Sequence, residues 1–219
     1  YMGIKYYRQL QGETERALAA RSMAHQAQLK MLRYQLNPHF LFNTLNAIST
    51  LILDRDNATA NRMVQGLSSF LRHSLDNDPM QRVTLRQELD ALTLYLDIEK
   101  IRFAERLRIA TAIDEDCWRA LLPSLLLQPL VENVIKYAVA KQVAGGLLRI
   151  EAERDGEQLV LRVIDDGPGC SAIEGDQLPP PKGVGLRNTR ERLHVLYGDT
   201  GGFSVRNRER GIEVALRLP

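Results

Sequence analysis

The stretch Gln35-Leu36-Asn37-Pro38-His39-Phe40-Leu41-Phe42-Asn43-Thr44-Leu45-Asn46 decides how the rest of the chain is interpreted. Apolar residues occupy most of this segment, which predicts a helix that is buried on most sides in a multi-helix bundle. Pro38 removes a backbone donor and predicts a kink beside the following histidine. One helical face remains polar, with residues at steps of three and four: His39, Asn43, Asn46 and Thr50. A lone histidine is more often an ordinary solvated or core residue, but this one lies where a reaction partner could reach it.

Composition limits the classes of protein to which the chain can belong. Its 219 residues allow one large or two modest domains, and 44% hydrophobic with 26% charged residues is ordinary for a soluble globular protein. The net charge of +2 gives no electrostatic case for nucleic acid as a direct partner. Cys117 and Cys170 fit no disulfide framework and no metal-ligand spacing. The sequence contains no run of about 18 apolar residues, the length needed to span a bilayer.

Helical periodicity extends on both sides of the opening stretch, from residue 9 to residue 53. The first part of this segment is rich in good helix formers but poor in apolar surface, so we expect it to pair with a second copy of the chain. Asn57 is predicted to cap a second helix. Thr84 and Gln87 have the spacing of a capping box, which predicts the start of a third helix that ends near Phe103.

Beyond Ala104 the pattern changes, and we place the domain boundary there, giving residues 1–104 and 105–219. Alternating apolar residues predict strands, and two further segments predict helices. The strands are 107–113, 118–122, 147–154, 158–164, 203–208 and 212–218, and the helices are 125–139 and 186–196. Asp155-Gly156 is predicted to form a hairpin turn. The fold class expected is an α-helical hairpin or bundle followed by an α+β two-layer sandwich.

The helix predicted for residues 125–139 carries a polar cluster on an otherwise apolar segment: Glu132, Asn133, Lys136 and Tyr137. An amide oxygen is a suitable ligand for Mg²⁺, and a lysine one turn further on can contact phosphate. Taken alone, such a cluster is more often a solvated helix face.

Two glycine motifs follow on the same half of the chain. Asp165-Asp166-Gly167-Pro168-Gly169 ends a strand, where glycines let a flat ligand approach and the acid accepts from an exocyclic amine. Gly183-Val184-Gly185-Leu186-Arg187-Asn188 opens a helix, which presents backbone N–H groups and the helix dipole to phosphates. Each motif alone is weak evidence. Together, in this order, the three motifs indicate a nucleotide site.

With these motifs the second half of the chain resembles the GHKL ATPase fold, which is shared by type II topoisomerases, heat-shock chaperone ATPases and sensor histidine kinases. Asn-Pro-His-Phe-Leu-Phe-Asn at 37–43, Leu-Gln-Pro-Leu-Val-Glu-Asn at 127–133 and Arg-Glu-Arg-Leu at 190–193 resemble the LytS-type sensor histidine kinases. The resemblance covers nearly the whole chain. It implies ATP and Mg²⁺, autophosphorylation, and transfer to an aspartate of a response regulator, one that carries a LytTR-type DNA-binding domain. It also implies a homodimer through the helical region.

The same resemblance implies roles for individual residues. His39 would be the phosphoacceptor, with Asn43 as an orienting group. Asp165 would bind the adenine amine, Lys136 the phosphates, and Asn133 the Mg²⁺, with Glu132 as a second candidate for the metal. The other positions implied in nucleotide binding are Tyr137, Gly167, Gly169, Gly183, Gly185, Leu186 and Asn188.

Two departures from related patterns keep other functions open. Phe40 stands where most histidine kinases have an acidic residue, so the general base is unassigned. Because phosphotransfer then lacks an assigned base, one alternative is a dimeric scaffold that binds nucleotide without transferring phosphate. Pro129 stands where chaperone ATPases have a water-activating glutamate, which argues against the other alternative, a GHKL ATPase without phosphotransfer.

The remaining expectations concern the two segments that carry no apolar periodicity of their own. Residues 170–182 are predicted to form a lid that orders when phosphates dock. The chain begins at Tyr1 rather than Met, and aromatic and basic residues alternate at 1–8. We therefore expect a missing upstream membrane segment, which makes this the cytoplasmic portion of an inner-membrane-anchored bacterial protein.

Overall fold

The structure is a computed structural model that describes residues 37–76, 81–171, 173 and 184–219. The described chain separates into two compact units between Asn46 and Ala47, inside its first helix. The predicted helix and dimer contacts of residues 9–36 and most of the predicted lid lie outside the described residues. No helix within the described ranges has both the length and the apolar character needed to cross a membrane.

Helix α1 spans Pro38–Leu53 and begins at the proline. Asn37 lies outside the helix and caps it: its Oδ1 accepts from the Phe40 N–H at 3.3 Å and its carbonyl from the Leu41 N–H at 3.1 Å. The prediction of one helix running through Asn37 is therefore wrong, and the predicted kink depends on residues 9–36, which lie outside the described ranges. Proline is well accommodated at the first helical position, where its missing N–H has no helical acceptor, and it disfavours helical backbone in the residue before it.

Helices α2 (Asn57–Asp76) and α3 (Leu85–Phe103) pack along each other. Gly66 makes the close approach possible, because a Cβ there would lie 3.3 Å from Ile98 Cγ1. The cap of α2 is Asp56, whose Oδ1 accepts from the Thr59 N–H at 3.1 Å, so the prediction of Asn57 is wrong by one residue. The predicted capping box at the start of α3 is confirmed.

The second half of the chain forms a five-stranded sheet with the order β2-β4-β5-β7-β6. Its strands are β2 (Leu107–Ile113), β4 (Gly146–Asp155), β5 (Gln158–Asp165), β6 (Gly202–Asn207) and β7 (Ile212–Leu218). Only the β2–β4 pair is parallel. Two short strands, β1 (Arg82–Thr84) and β3 (Leu121–Pro123), pair with each other at the start of α3. The predicted strands are thus confirmed within a few residues, and β1 interrupts the region predicted to be all helix.

Helix α4 covers Gln128–Val134 and continues as a π-helix over Ile135–Val139, where the Ala140 N–H donates to the Ile135 carbonyl at 2.8 Å. Its start is three residues later than the predicted start at residue 125. Leu125 instead adopts a left-handed conformation with φ 59°. The N–H groups of Leu125 and Leu127 both donate at 2.8 Å to the carboxylate of Glu88 on α3.

Helix α5 (Val184–Tyr197) contacts α4 and β6. One face of the sheet carries most of the sheet's buried apolar residues: Leu148, Ile150, Leu161, Val163, Val205, Val214 and Leu216. On the opposite face charged side chains pair across the strands, as in the 2.6 Å bond from Arg162 Nη2 to Glu153 Oε1. The predicted fold class, a helical region followed by an α+β two-layer sandwich, is confirmed. The division at residues 104 and 105 stays a prediction.

Candidate functional site

Helix α4 and its π-helical continuation lie between the two glycine motifs. A Cβ added to Gly167 would lie 2.8 Å from Ala138 Cβ, so the first motif lies directly against the π-helix. A Cβ added to Gly185 would lie 3.4 Å from Asn133 Nδ2 and 3.7 Å from Pro129 Cβ, so the second motif lies against the start of the same helix. The three predicted motifs therefore meet around one helix, and at Gly167 only the absence of a side chain allows the close approach.

Asn133 has a buried side-chain nitrogen with no hydrogen-bond partner among the described residues. A buried amide left without a partner is costly, which makes it a natural point of ligand contact. The amide also has an oxygen of the type that Mg²⁺ accepts. The unpaired N–H donor therefore suits a phosphate oxygen, and the amide oxygen is the atom that could ligate a phosphate-bound magnesium ion.

Asp165 is held at the end of β5 by backbone donors. Its Oδ1 accepts from the Gly167 N–H at 2.8 Å and from the Ile212 N–H at 3.3 Å. Within the described residues Oδ2 has no donor, so it remains available to a ligand amine. Burial raises the pKa of the Asp165 carboxyl, the two N–H donors oppose that rise, and neighbouring Asp166 adds to it.

Asp166 has a different task from its neighbour. Its Oδ1 accepts from the Leu147 N–H at 2.6 Å and its Oδ2 from Arg108 Nη2 at 2.7 Å. These bonds join the end of β5 to the start of β4 and to the edge strand β2. Of the two adjacent acids, Asp166 therefore ties strands together, and Asp165 keeps a free oxygen.

His39 is exposed on α1, and Asn43 lies one turn further along the same helix. Asn43 Nδ2 is 3.1 Å from His39 Nδ1 and 3.2 Å from Nε2. The amide can therefore reach either ring nitrogen, which gives it the position predicted for an orienting group.

Comparison with known proteins gives matches along the whole chain. The family model described as "Histidine kinase" matches residues 27–107. All of this chain aligns with the sensor histidine kinase YpdA of Escherichia coli at 35% identity. In the same way, 88% of this chain aligns with the sensor protein LytS of Staphylococcus haemolyticus at 34% identity. A further match covers 89% of this chain, at 34% identity to the sensor histidine kinase YesM of Bacillus subtilis.

The chain belongs to the sensor histidine kinase family. It spans 39% of YpdA, 33% of YesM and 34% of LytS, so it corresponds to a minor part of these relatives. Among solved structures, the catalytic domain of the histidine kinase ThkA is similar in fold, with a TM-score of 0.51 at 18% identity. That match covers 64% of this chain and 95% of the ThkA domain.

Two lysines flank the aromatic ring of Tyr137 in this chain. Lys136 Nζ lies 4.9 Å and Lys141 Nζ 4.8 Å from the ring centroid. Lys136 and Tyr137 belong to the motif predicted from the sequence, whereas Lys141 was not predicted, because it lies beyond the segment that matches the motif. The π-helical turn and the residues after it bring this second cation beside the same ring.

Glu132 lies on the side of α4 that faces α3. It accepts from Gln128 Nε2 at 3.0 Å, and its negative charge contributes to the raised pKa of Tyr95 and of Glu99, which is chiefly due to burial. Asn133, by contrast, lies against Gly185 of α5. These neighbours favour Asn133 over Glu132 as the residue that contacts a ligand.

The second glycine motif is described only from Val184 onward, and Gly183 lies outside the described residues. Leu186 is half-buried and Asn188 is exposed in the first turn of α5. Thr189 Oγ1 donates to the Gly185 carbonyl at 3.0 Å, which holds this first turn together.

Gly211 is a residue of the site that sequence analysis missed, since a glycine after a charged turn is not distinctive. Its φ is 82°, and a Cβ there would lie 1.9 Å from the Asp165 carbonyl oxygen. We expect Gly211→Ala to reduce the free energy of unfolding by about 2–3 kcal/mol, because both the left-handed backbone and the contact oppose a side chain.

Gly156→Ala is the matched control for this prediction. Gly156 has a φ of 63°, but nothing lies within 4 Å of an added Cβ. The control should lose only about 1 kcal/mol, the cost of the left-handed conformation. Urea denaturation of both variants measures the difference, and equal losses would contradict a steric role for Gly211.

Proposed function

We propose that this chain is an ATP-dependent protein histidine kinase that transfers the γ-phosphoryl group of ATP to its own His39. The observation that carries the proposal is the pair of unused polar atoms around α4, Asn133 Nδ2 and Asp165 Oδ2. Both belong to a chain whose relatives are sensor histidine kinases and whose exposed His39 has Asn43 beside it.

In this proposal the nucleotide is bound by residues from three elements. Asp165 Oδ2 accepts from the adenine amine, and the glycine backbone beside it admits the flat ring. Lys136 offers its ammonium group to the phosphates, and Asn133 would hold the magnesium ion through its amide oxygen. Mg²⁺ would neutralise phosphate charge, so binding and orientation are the tasks left to the protein.

His39 can attack as neutral imidazole if the proton resides on Nδ1 and the lone pair on Nε2. Amide nitrogen and oxygen are interchangeable by a half-turn of the Asn43 side chain, which would bring Oδ1 to the ring. Asn43 Oδ1 then accepts from Nδ1–H and selects this tautomer. The Nε2–P bond forms, the bond from phosphorus to the ADP oxygen breaks, and Oδ1 stabilises the positive charge left on the ring. A carboxylate at position 40 is not needed for this step.

The partners follow from the same proposal. The phosphoryl group passes from His39 to an aspartate of a response regulator, with a LytTR-type regulator as the specific candidate. A homodimer is supported by large apolar side chains that the single chain leaves exposed on α1 and α2: Phe42 (68%), Leu45 (54%), Ile52 (54%), Leu53 (80%) and Val64 (49%). Anchoring through an upstream membrane segment remains part of the proposal.

The proposed function is tested by incubation with γ-labelled ATP, followed by mapping of the label. Phosphate bound through nitrogen should survive alkali and disappear in mild acid. Nucleotide binding without any label would favour a dimeric scaffold, and steady phosphate release without label would favour a simple ATPase.

Nucleotide affinity provides a second prediction. Asp165→Asn should weaken ATP binding by about 1–3 kcal/mol, because the amide can present a donor to the adenine amine and leave it unsatisfied. Asn133→Ala should weaken binding more in Mg²⁺ than in EDTA. Isothermal titration of both variants measures these effects, and unchanged curves would refute the assignment of the nucleotide site.

A further inference from the structure

Asn207, the last residue of β6, makes three hydrogen bonds to the segment that follows the first glycine motif. Its Oδ1 accepts from the Cys170 N–H at 2.9 Å, and its Nδ2 donates to the Cys170 carbonyl at 2.9 Å. Nδ2 also donates to the Ile173 carbonyl at 3.3 Å. The side-chain amide therefore acts on Cys170 as a neighbouring strand would, by pairing with both its donor and its acceptor.

The backbone beside this contact is shaped to admit the Asn207 side chain. Gly169 has a φ of 74°, and a Cβ there would lie 3.0 Å from Asn207 Oδ1. A side chain at position 169 would therefore be strained and would press against the amide. Ile173, at the other end of the segment, is buried, which fixes that end as well.

The residues on either side of the turn between β6 and β7 thus hold the first glycine motif and the segment after it at two points. Asn207 binds Cys170 and Ile173 on one side, and Ile212 donates to Asp165 Oδ1 on the other. All of these bonds link residues at least 34 positions apart in sequence, so neither strand nor loop could form them alone.

We propose that Asn207 is a positioning residue for nucleotide binding: it fixes the backbone at Cys170 and Ile173, beside Gly169, so that the Asp165 side of the site is formed before a ligand arrives. This inference rests on the proposed function, because it assigns the Asp165 side to the nucleotide base. Asn207 itself touches no ligand in this scheme.

The first test measures the segment directly and needs no nucleotide. Cys170 is half-exposed, whereas Cys117 is fully buried and serves as an internal control. Alkylation of Cys170 by iodoacetamide should be about three- to tenfold faster in Asn207→Ala than in the wild type, the change expected for losing a net hydrogen bond or more. The Cys117 rate should not change. Equal Cys170 rates would overturn the proposal.

The second test measures ATP binding by isothermal titration. Asn207→Ala should raise the Kd by about three- to tenfold, and Asn207→Asp should raise it further, because a carboxylate faces the Cys170 and Ile173 carbonyls without a donor. Glu209→Ala, an exposed residue of the same turn, is the control and should match the wild type.

Phosphorylation kinetics then distinguish a loss of positioning at the nucleotide site from partial unfolding of the protein. Asn207→Ala should raise the KM for ATP and leave kcat at saturating ATP unchanged, whereas partial unfolding would lower kcat. An unchanged Kd together with faster Cys170 alkylation would also overturn the proposal. If the wild type binds ATP in an Asn207-dependent way but never labels His39, the proposed kinase function fails and this inference stands.

Discussion

His39→Gln is expected to abolish labelling from γ-labelled ATP and to leave ATP affinity and dimerisation unchanged. Glutamine keeps a polar side chain on the exposed face of α1 but has no lone pair on nitrogen that can attack phosphorus. The residues proposed to bind nucleotide all lie on other elements, so the substitution should leave them intact. Scintillation counting of the labelled protein and isothermal titration together measure both results.

Two other described histidines provide matched controls. His73 lies near the end of α2 and His194 near the end of α5, the helix opened by the second glycine motif. His73→Gln and His194→Gln should retain most of the label. Label that persists in His39→Gln, or that resists mild acid, would refute transfer to this histidine.

Glu88→Ala is expected to lower the free energy of unfolding by about 3–5 kcal/mol. Glu88 is 3% exposed, and its carboxylate accepts from the Leu125 and Leu127 N–H groups at 2.8 Å each. Helix α4 has no capping side-chain hydrogen bond of its own at Leu127, so Glu88 supplies the acceptors from another helix. Alanine would leave two buried donors unsatisfied, each at a cost of about 1–3 kcal/mol.

Chemical denaturation of Glu88→Ala and of Asp90→Ala, an exposed acid on the same helix, measures this effect. The control should change stability by less than about 0.5 kcal/mol. Burial raises the pKa of Glu88, and the N–H donors of Leu127 and Leu125 oppose the rise. A loss for Glu88→Ala no larger than for Asp90→Ala would mean that the two donors find other acceptors.

The elements that sequence analysis predicted correctly are those that depend on local patterns. Apolar residues in short runs predicted β2, β4, β5, β6 and β7; the alternation of buried and accessible residues is clearest in β4, whereas β5 is buried on both faces. The capping box at Thr84 and Gln87 was predictable because both partners lie within one turn. The starts of α1 and α4 were mispredicted for different reasons. At α1 the local effect of proline was assigned to a kink rather than to a helix start, whereas the acceptor for α4 comes from Glu88, 37 residues before Leu125.

In the candidate site, too, residues in local motifs were predicted and residues that depend on distant contacts were not. Asp165, Asn133 and the glycines stand in recognisable motifs, and the structure brings these motifs together around α4. Gly211 and Asn207 stand in a charged turn with no motif, and they matter only because the sheet brings that turn beside Asp165 and Cys170. Contacts between distant parts of the chain leave no local pattern, so the sequence could not reveal them.

The π-helical turn after α4 affects how this segment should be aligned with related sequences. A π-helix is in effect an α-helix that has accepted one additional residue, and in an α-helix each residue advances by about 100°. A homologue lacking one residue between Ile135 and Ala140 would close a regular helix there, and the side chains beyond the gap would point in new directions. If equivalent residues were assigned by counting from Asn133, Tyr137 and Lys141 would then be matched to the wrong residues of the homologue. A gap of one residue in an alignment would mark a change of helix type rather than the loss of a loop.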